Sequence, residues 1–185
     1  MHGNLFEFKN FVDVSLCHEI CGTIESTPTR SRTSLDFFYV NRTRDIDAFK
    51  PSTRVILEKI IDDVISKMRE VYNSPDLVIN HADVVSSPDG HTHDVHSDSF
   101  CITTGEKYTH PGLRKRAFTG ILYLNDKFRG GETFFPKLYH DVIPEIGKLV
   151  IYPADILHQH GVKEVMISGD NPPRYTLSIW VEHSG

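Results

Sequence analysis

Residues 94–100, DVHSDSF, contain the pattern from which the rest of the chain is best understood. His96 and Asp98 are two residues apart, and in an extended segment two such side chains point to the same side of the strand. One imidazole nitrogen and one carboxylate oxygen can then bind one ion. A second histidine from further along the chain would complete a set of two histidines and one carboxylate, which leaves coordination positions open on Fe(II).

This spacing is a weak signal on its own, because the chain contains a second pair of the same kind. His81 and Asp83 lie inside the otherwise apolar run at 77–85. We expect substitutions at that second pair to affect stability more than metal binding.

The composition limits the class of protein. The chain has 185 residues, of which 39% are hydrophobic and 24% are charged, as in one soluble globular domain. Its net charge of -5 predicts no nucleic-acid partner, and no apolar run is long enough to predict a membrane span. The three cysteines form no paired framework and no signal-peptide pattern is present, so the expected location is cytoplasmic.

Two amphipathic helices are predicted before residue 76. The first covers residues 14–24, with Asp13 or Ser15 as its cap, and the second covers 52–72, with Ser52 as its cap. Both have apolar residues at three- and four-residue spacing. These are Leu16, Ile20 and Ile24 in the first helix, and Leu57, Ile60, Ile61, Val64, Met68 and Val71 in the second.

Two polar segments are candidates for covering a substrate. Residues 27–50 include the aromatic run at 37–40, which predicts one or two strands, and four arginines. These arginines, Arg30, Arg32, Arg42 and Arg44, form either a solvated surface or a rim for an acidic substrate. Residues 101–116 are the second segment, since long polar loops often cover sites.

After residue 76 the pattern changes to that of strands. Strands are predicted at 77–86, 94–100, 117–125, 132–135, 148–153, 158–167 and 174–182. Helices followed by many short strands predict an α+β fold, with helices against one face of a β-sandwich or jelly roll. We expect one domain over residues 1–185, with a helical part at about 1–75 and a jelly-roll core at about 76–183.

Four segments together carry a more specific signal than any one of them alone. They are HSD at 96–98, ILYLND at 121–126 with GGETFFP at 130–136, GKLVIYP at 147–153 with HGVKEV at 160–165, and RYTLSIW at 174–180. In order, spacing and identity, the chain over residues 78–182 resembles the prolyl 4-hydroxylase-like branch of the Fe(II)/2-oxoglutarate-dependent dioxygenases.

This resemblance implies a double-stranded β-helix, a cupin-like jelly-roll core with a metal in its mouth. It implies that His96, Asp98 and His160 are the catalytic residues and the ligands of Fe(II). It further implies that Arg174 and Tyr123 bind the C5 carboxylate of the co-substrate 2-oxoglutarate, and that ascorbate stimulates turnover. A planar guanidinium suits a carboxylate, because it can donate two parallel hydrogen bonds and stays charged when buried.

Periodicity alone leaves the second histidine ligand open between His158 and His160, because residues two apart on a strand face the same side. The family has a valine two residues after the ligand and another apolar residue five residues after it. His160 is followed by Val162 and Val165 at those positions, so the resemblance favours His160. His158 is then expected at the site mouth, or bonded to a group next to the ligands.

The implied function is that of an oxidoreductase, a hydroxylase that acts on an unactivated C–H bond with O₂ and releases succinate and CO₂. Its expected substrate is an amino acid, a peptidyl residue such as proline, or a related small molecule. Asp98 favours hydroxylation, because related halogenases have a small residue there. The alternatives are a jelly-roll metal-binding module that acts as a sensor or scaffold, and a cupin-like enzyme that uses another metal without 2-oxoglutarate.

Overall fold

The computed structural model describes residues 3–30 and 42–185, and these contain three α-helices, one short 3-10 helix (Ile46–Ala48) and twelve strands. The α-helices are α1 (Val14–Ile24), α2 (Pro51–Tyr72) and α3 (Pro111–Arg114). The strands are β1 (Phe6–Phe8), β2 (Thr43–Asp45), β3 (Leu77–Ser87), β4 (His93–His96), β5 (Arg116–Tyr123), β6 (Arg129–Gly130), β7 (Thr133–Phe135), β8 (His140–Val142), β9 (Leu149–Pro153), β10 (His160–Val162), β11 (Val165–Met166) and β12 (Arg174–His183). No helix in the described ranges has the length and apolar character that crossing a membrane requires.

The described strands pair antiparallel throughout. Six of them form a large sheet in the order β1-β9-β5-β12-β3-β2. A four-stranded sheet has the order β4-β10-β7-β8, and β11 pairs with β6. The fold is therefore α+β with antiparallel sheets, as the order of helices before strands predicted.

One face of the large sheet is covered by α1 and α2. Ile20 of α1 and Met68 of α2 are fully buried in the same apolar cluster as Leu122, Ile151 and Ile179 of the sheet. The contact is close at Gly120, where an added Cβ would lie only 2.9 Å from the Met68 methyl carbon. Burial of apolar surface contributes roughly 25 cal/mol per Å² to the stability of the fold. This packing holds the helices on that side of the sheet, as their apolar stripes predicted.

The opposite face of the large sheet looks toward the four-stranded sheet. Ile121 and Tyr123 of β5 and Tyr152 of β9 share a second buried cluster with Phe135 of β7 and Val142 of β8. Successive residues of a strand alternate between faces. Tyr123 and Tyr152 therefore point away from the helices, into the space between the two sheets.

Two details of the predicted helices are wrong. Helix α1 buries Cys17 together with Ile20 and Ile24, whereas Leu16 remains 36% exposed. Helix α2 begins at Pro51, one residue early, and its N-cap is Lys50, which makes no side-chain cap bond. Proline suits the first helical position because that residue's N–H has no intrahelical partner. The cap of α1 at Asp13 is confirmed, since its carboxylate accepts the Ser15 backbone N–H at 2.8 Å.

The predicted strand at 94–100 ends early, at His96, and Asp98 lies in a bend. The Ser97 hydroxyl donates to the Asp155 carbonyl at 3.0 Å, and the Ser99 hydroxyl donates to the Ala154 carbonyl. Such side-chain bonds to the backbone compete with strand pairing. They hold this stretch against residues 154–155 instead of in a sheet.

Other strand predictions also differ from the structure. The strand predicted at 158–167 is divided into β10 and β11, and the short strands β6 and β8 were not predicted. Of the segment 27–50, residues 43–45 form β2, which lies at the edge of the large sheet. The strand predicted around 37–40 lies outside the described residues.

Candidate metal centre

Three potential metal ligands converge between the two sheets. His96 is the last residue of β4 and His160 is the first residue of β10, and the two are cross-strand partners. Asp98 reaches them from the bend that follows β4, with its Oδ1 3.8 Å from His96 Nε2 and its Oδ2 3.8 Å from His160 Nε2. One ligand atom from each residue lies within 4.8 Å of those of the other two, a spacing that can hold a metal ion.

The backbone orients both imidazole rings in the same way. Nδ1 of His96 is 3.0 Å from the Asp94 carbonyl oxygen, and Nδ1 of His160 is 3.0 Å from the His158 carbonyl oxygen. A carbonyl oxygen can only accept, so each Nδ1 carries a proton, and this leaves Nε2 of a neutral ring with a lone pair. This is the usual arrangement of histidines that bind a metal, because the second nitrogen fixes the ring.

The charges of the three residues also suit a divalent cation. Burial lowers the pKa of His160 to about 4, so its ring is neutral at pH 7. Burial acts to raise the pKa of Asp98, but His160, His96 and Arg116 together lower it below its usual range. The Thr119 hydroxyl adds to this by donating to Asp98 Oδ2 at 2.7 Å. A buried carboxylate that stays ionised needs a cationic partner.

His158 does not face this group. Its Nδ1 is 2.7 Å from Asp155 Oδ1, and its Nε2 contacts the Gly3 carbonyl oxygen. His158 precedes β10, so the two-residue alternation of a strand does not apply to it. The structure thus brings His160, and not His158, to His96 and Asp98.

Tyr152 is a residue of this group that the sequence analysis missed. It lies opposite Thr119 in the pairing of β9 with β5, and its hydroxyl is 3.1 Å from His160 Nε2. Burial raises the pKa of Tyr152 well above its usual range, and the nearby Asp98 carboxylate adds to the rise. The hydroxyl therefore keeps its proton. Only the register of β9 against β5, which the sequence did not reveal, brings Tyr152 and Thr119 to the ligands.

Arg174 and Tyr123 also lie together between the two sheets. The Arg174 guanidinium carbon is 5.2 Å from the centre of the Tyr123 ring. Arg174 Nε donates to the Gly131 carbonyl at 3.0 Å and Nη2 donates to the Thr133 hydroxyl at 3.3 Å, while the Tyr123 and Thr133 hydroxyls are 2.7 Å apart. Gly131 has φ +67°, and a Cβ there would lie 3.0 Å from Arg174 Cδ. Glycine therefore makes room for the arginine.

Arg174 is buried, with 3% of its surface exposed. Within residues 3–30 and 42–185, no carboxylate lies within 4.0 Å of its guanidinium. An arginine side chain stays charged in proteins, and a buried charge without an ionic partner is costly. The pair Arg174 and Tyr123 is therefore suited to an anionic ligand, and a carboxylate fits the donors best.

A second acidic group differs from the first because it already holds a cation. Asp45, His81 and Asp83 also have ligand atoms within 4.8 Å of one another. The Arg30 guanidinium donates to both carboxylates and lies 2.9 Å from His81 Nε2. That His81 and Asp83 affect stability more than metal binding stays a prediction, and these ion pairs support it.

The three arginines of the segment 27–50 that the structure describes do not form a common solvated surface. Arg30 is bound as described, and Arg44 is buried, with its Nε donating to the Thr27 carbonyl at 3.2 Å and its Nη2 3.6 Å from Glu25. Arg42 contacts the His91 ring. Arg32 lies outside the described residues. The partners of these side chains are distant in the chain, so the sequence does not reveal them.

Arg116 belongs to the segment 101–116 that was predicted to cover a substrate, but the sequence did not predict its contact with Asp98. Its guanidinium carbon is 4.2 Å from the centre of the Trp180 ring, and its Nη1 is 4.0 Å from Asp98 Oδ1. It is the last residue of that polar segment and the first residue of β5. A cation and an aromatic face thus lie beside the candidate metal ligands, at the side where that segment ends.

The chain is similar to an oxygenase family and to two prolyl hydroxylases. The family model described as the 2OG-Fe(II) oxygenase superfamily matches residues 81–182. Prolyl 3-hydroxylase 3 of Mus musculus is 28% identical over 150 residues, which are 71% of this chain and 20% of that protein. Prolyl 3-hydroxylase 3 of Homo sapiens is 33% identical over 97 residues, or 48% of this chain and 13% of that protein. The chain thus spans a fifth or less of these relatives.

Solved structures of similar fold cover nearly all of the chain. One is a viral collagen prolyl hydroxylase from Paramecium Bursaria Chlorella virus-1 in complex with 2OG, with a TM-score of 0.66 at 17% identity. The matched region covers 98% of this chain and 97% of the viral chain. A prolyl hydroxylase from Trichoplax adhaerens, in complex with a hypoxia inducible factor peptide fragment, has a TM-score of 0.70 at 18% identity, with 98% and 84% covered. At these identities the likeness concerns the fold.

Proposed function

This chain belongs to the 2OG-Fe(II) oxygenase superfamily, and we propose that it is a 2-oxoglutarate- and Fe(II)-dependent dioxygenase. In this proposal it hydroxylates an unactivated C–H bond and releases succinate and CO₂. The reaction places the chain among the oxidoreductases. O₂ and a peptidyl or small-molecule substrate are its partners.

The proposed ligands of Fe(II) are His96, Asp98 and His160. The observation that carries this proposal is the orientation of the two imidazoles, whose Nδ1 protons are held by backbone carbonyls so that both Nε2 lone pairs lie 3.8 Å from Asp98. Two neutral imidazoles and one carboxylate are the donors that non-haem Fe(II) sites use. The residues present therefore fit the metal that the family uses.

Arg174 and Tyr123 are proposed to hold the C5 carboxylate of 2-oxoglutarate. The buried guanidinium without a carboxylate partner supports this assignment, because a dicarboxylic acid would supply the missing anion. Thr133 joins the group, since its hydroxyl contacts both side chains. These residues bind and orient the co-substrate and exclude water from its distal end.

When both are bound, iron and 2-oxoglutarate supply the activation of O₂ that oxidation of a C–H bond requires. The chain contributes position and charge. Thr119 holds Asp98 in place through a 2.7 Å hydrogen bond, and the carbonyls of residues 94 and 158 hold the histidines. Burial of Asp98 and His160 keeps bulk water away from the centre.

We also infer that the two packed sheets form the double-stranded β-helix of the family, as a single domain over residues 1–185. The antiparallel pairing of ten strands in β1-β9-β5-β12-β3-β2 and β4-β10-β7-β8 with an apolar cluster between them supports this inference, as do the TM-scores of 0.66 and 0.70. β1 and β2 come from the N-terminal part, so that part contributes strands as well as helices.

A peptidyl proline is the first substrate to test. The curated relatives are named prolyl 3-hydroxylases, and the similar structures include prolyl hydroxylases. The cation of Arg116 above the Trp180 ring, 4.0 Å from Asp98, offers a donor and an apolar face next to the metal ligands. A prolyl ring with its carbonyl oxygen matches those two features.

The test is succinate release from 2-oxoglutarate by the purified protein with Fe(II), O₂ and ascorbate. We expect turnover with the unaltered chain and none with His96→Ala or Asp98→Ala. His183→Ala is the matched control, because His183 is an exposed histidine bonded to Asp76 and far from the ligands in sequence. Full turnover in Asp98→Ala would contradict the ligand assignment.

The substrate is then identified by mass spectrometry of proline-containing peptides from the same reactions. The expected product gains one oxygen atom, and fragmentation places the oxygen on proline. Succinate release without a hydroxylated prolyl product would support the activity and contradict the prolyl substrate.

A further inference from the structure

Tyr152 has no role in the function proposed so far, although it contacts His160, one of the proposed metal ligands. Its side chain is fully buried and its hydroxyl lies 3.1 Å from His160 Nε2. His160 Nδ1–H donates a hydrogen bond to the His158 carbonyl oxygen, so Nε2 of the neutral ring can only accept one. The hydrogen bond therefore runs from the Tyr152 hydroxyl to His160.

A metal ion and the Tyr152 proton compete for this lone pair. An ion that binds His160 Nε2 takes the electron pair that accepts the proton in the metal-free protein. The Tyr152 hydroxyl is then a buried donor that has lost its acceptor. Such a donor costs about 1–3 kcal/mol unless it finds another one.

Two kinds of acceptor are available to it. The first is the Thr119 hydroxyl, which is a neighbour of Tyr152 and donates its own hydrogen bond to Asp98 Oδ2. The second is an oxygen atom of a ligand bound to the ion. A carboxylate oxygen is the stronger acceptor, because charge-assisted hydrogen bonds are roughly twice as strong as neutral ones.

We propose that Tyr152 is a binding residue for 2-oxoglutarate, whose hydroxyl caps His160 in the metal-free protein and donates to a carboxylate oxygen of 2-oxoglutarate once the metal is bound. This inference rests on the proposed function. It assigns the hydroxyl two effects of opposite sign. The hydroxyl weakens metal binding, because the metal must displace it, and it strengthens binding of 2-oxoglutarate.

The test uses Tyr152→Phe, which removes one oxygen atom and keeps a ring that can pack on Phe135 and His160. Co(II), which does not react with O₂ and 2-oxoglutarate under these conditions, is titrated into metal-free protein by calorimetry, and 2-oxoglutarate is then titrated into the Co(II)-loaded protein. In Tyr152→Phe we expect the Kd for Co(II) to fall by about 2- to 10-fold, and the Kd for 2-oxoglutarate to rise by about tenfold.

Tyr175→Phe is the matched control. It also removes a buried tyrosine hydroxyl, one that donates to Glu25 at 2.7 Å on the helix-covered side of the sheet. Both dissociation constants should equal those of the unaltered protein in this variant. Thermal unfolding of the metal-free variants verifies that each is folded before it is titrated.

Three results would contradict an expectation, and each points to a different cause. Weaker Co(II) binding by Tyr152→Phe would make the hydroxyl a metal ligand and overturn the inference. An unchanged Kd for 2-oxoglutarate would also overturn it, because Thr119 would then be the new acceptor. If the unaltered protein bound neither Co(II) nor 2-oxoglutarate, the proposed function itself would be wrong.

Discussion

At the scale of single residues, hydrogen bonds to the backbone decide which atoms face the candidate metal centre. The carbonyls of Asp94 and His158 hold the Nδ1 protons of His96 and His160, and Thr119 holds one oxygen of Asp98. The same type of bond removes His158 from the site, because its ring is bound by Asp155 and by the Gly3 carbonyl. Neighbouring histidines therefore have different roles.

The first residue-scale prediction separates these two histidines. His160→Ala should lose binding of Co(II), because it removes a proposed ligand, whereas His158→Ala should retain it. His158→Ala should instead lower the midpoint of thermal unfolding, since it removes buried bonds to Asp155 and Gly3. Calorimetric titration and thermal unfolding measure the two effects. If only His158→Ala lost the metal, His158 would be the ligand.

The second residue-scale prediction concerns Arg174. Loss of a buried, charge-assisted contact costs on the order of 2–5 kcal/mol, so Arg174→Ala should raise the KM for 2-oxoglutarate by about 30-fold or more. Affinity for Co(II) should not change, because Arg174 contacts none of the three proposed metal ligands. Tyr123→Phe should have an effect of the same sign and smaller size, since it removes one hydrogen bond.

Succinate assays over a range of 2-oxoglutarate concentrations give these KM values. Arg129→Ala, which removes an exposed arginine on β6, is the control and should leave KM unchanged. An unchanged KM in Arg174→Ala would assign the carboxylate to another cation.

At the scale of secondary-structure elements, β10 is the strand that joins the candidate metal ligands. It lies between β4, which ends at His96, and β7, which begins at Thr133, so it connects the metal group with the Arg174 group. Its central residue is Gly161. A Cβ there would lie 2.6 Å from the His93 carbonyl oxygen and 2.7 Å from the Phe134 ring.

Gly161→Ala should therefore push β10 away from β4 and β7. We expect a loss of about 1–3 kcal/mol in the free energy of unfolding, as for other overpacked sites, together with weaker Co(II) binding. Urea denaturation and calorimetry measure the two quantities. Gly22→Ala is the control, because a Cβ at that position of α1 meets no atom within 4 Å. Equal stability of Gly161→Ala and the unaltered protein would contradict this account of β10.

At the scale of the whole molecule, the large sheet separates two environments. One face is an apolar layer with α1 and α2, and the other carries ionisable groups between the sheets. Burial lowers the pKa values of His91 and His160 to about 4 and that of His93 to about 3. The folded protein thus keeps these rings neutral at a pH where the unfolded chain protonates them.

This difference predicts how acid affects the metal-free protein. The three histidines have folded pKa values below the unfolded value of 6.5. The unfolded state therefore binds more protons than the folded state as the pH falls from about 6.5 to about 4, and the free energy of unfolding should decrease across that interval. Urea denaturation at several pH values in the presence of a chelator measures it. A stability that stayed constant from pH 6.5 to 4.5 would contradict the burial of these rings.

The features that depend on local pattern could be predicted from the sequence. The periods of apolar residues located α1 to the residue, α2 to within one residue, and the long strands β3, β5 and β12 to within two. The order of helices before strands indicated the α+β class, and the resemblance of four segments indicated the superfamily. These properties depend on neighbours along the chain, so a linear pattern is sufficient to predict them.

The contacts between distant side chains could not be predicted in this way. Only the pairing of β9 with β5 brings Tyr152 to Thr119, and only the pairing of β2 with β3 brings Asp45 to Asp83, where Arg30 binds both. A strand pattern specifies which residues share a face, but it does not specify the register against a distant strand. Contacts between residues far apart in the chain, which decide the environment of each ionisable group, therefore follow from the folded arrangement alone.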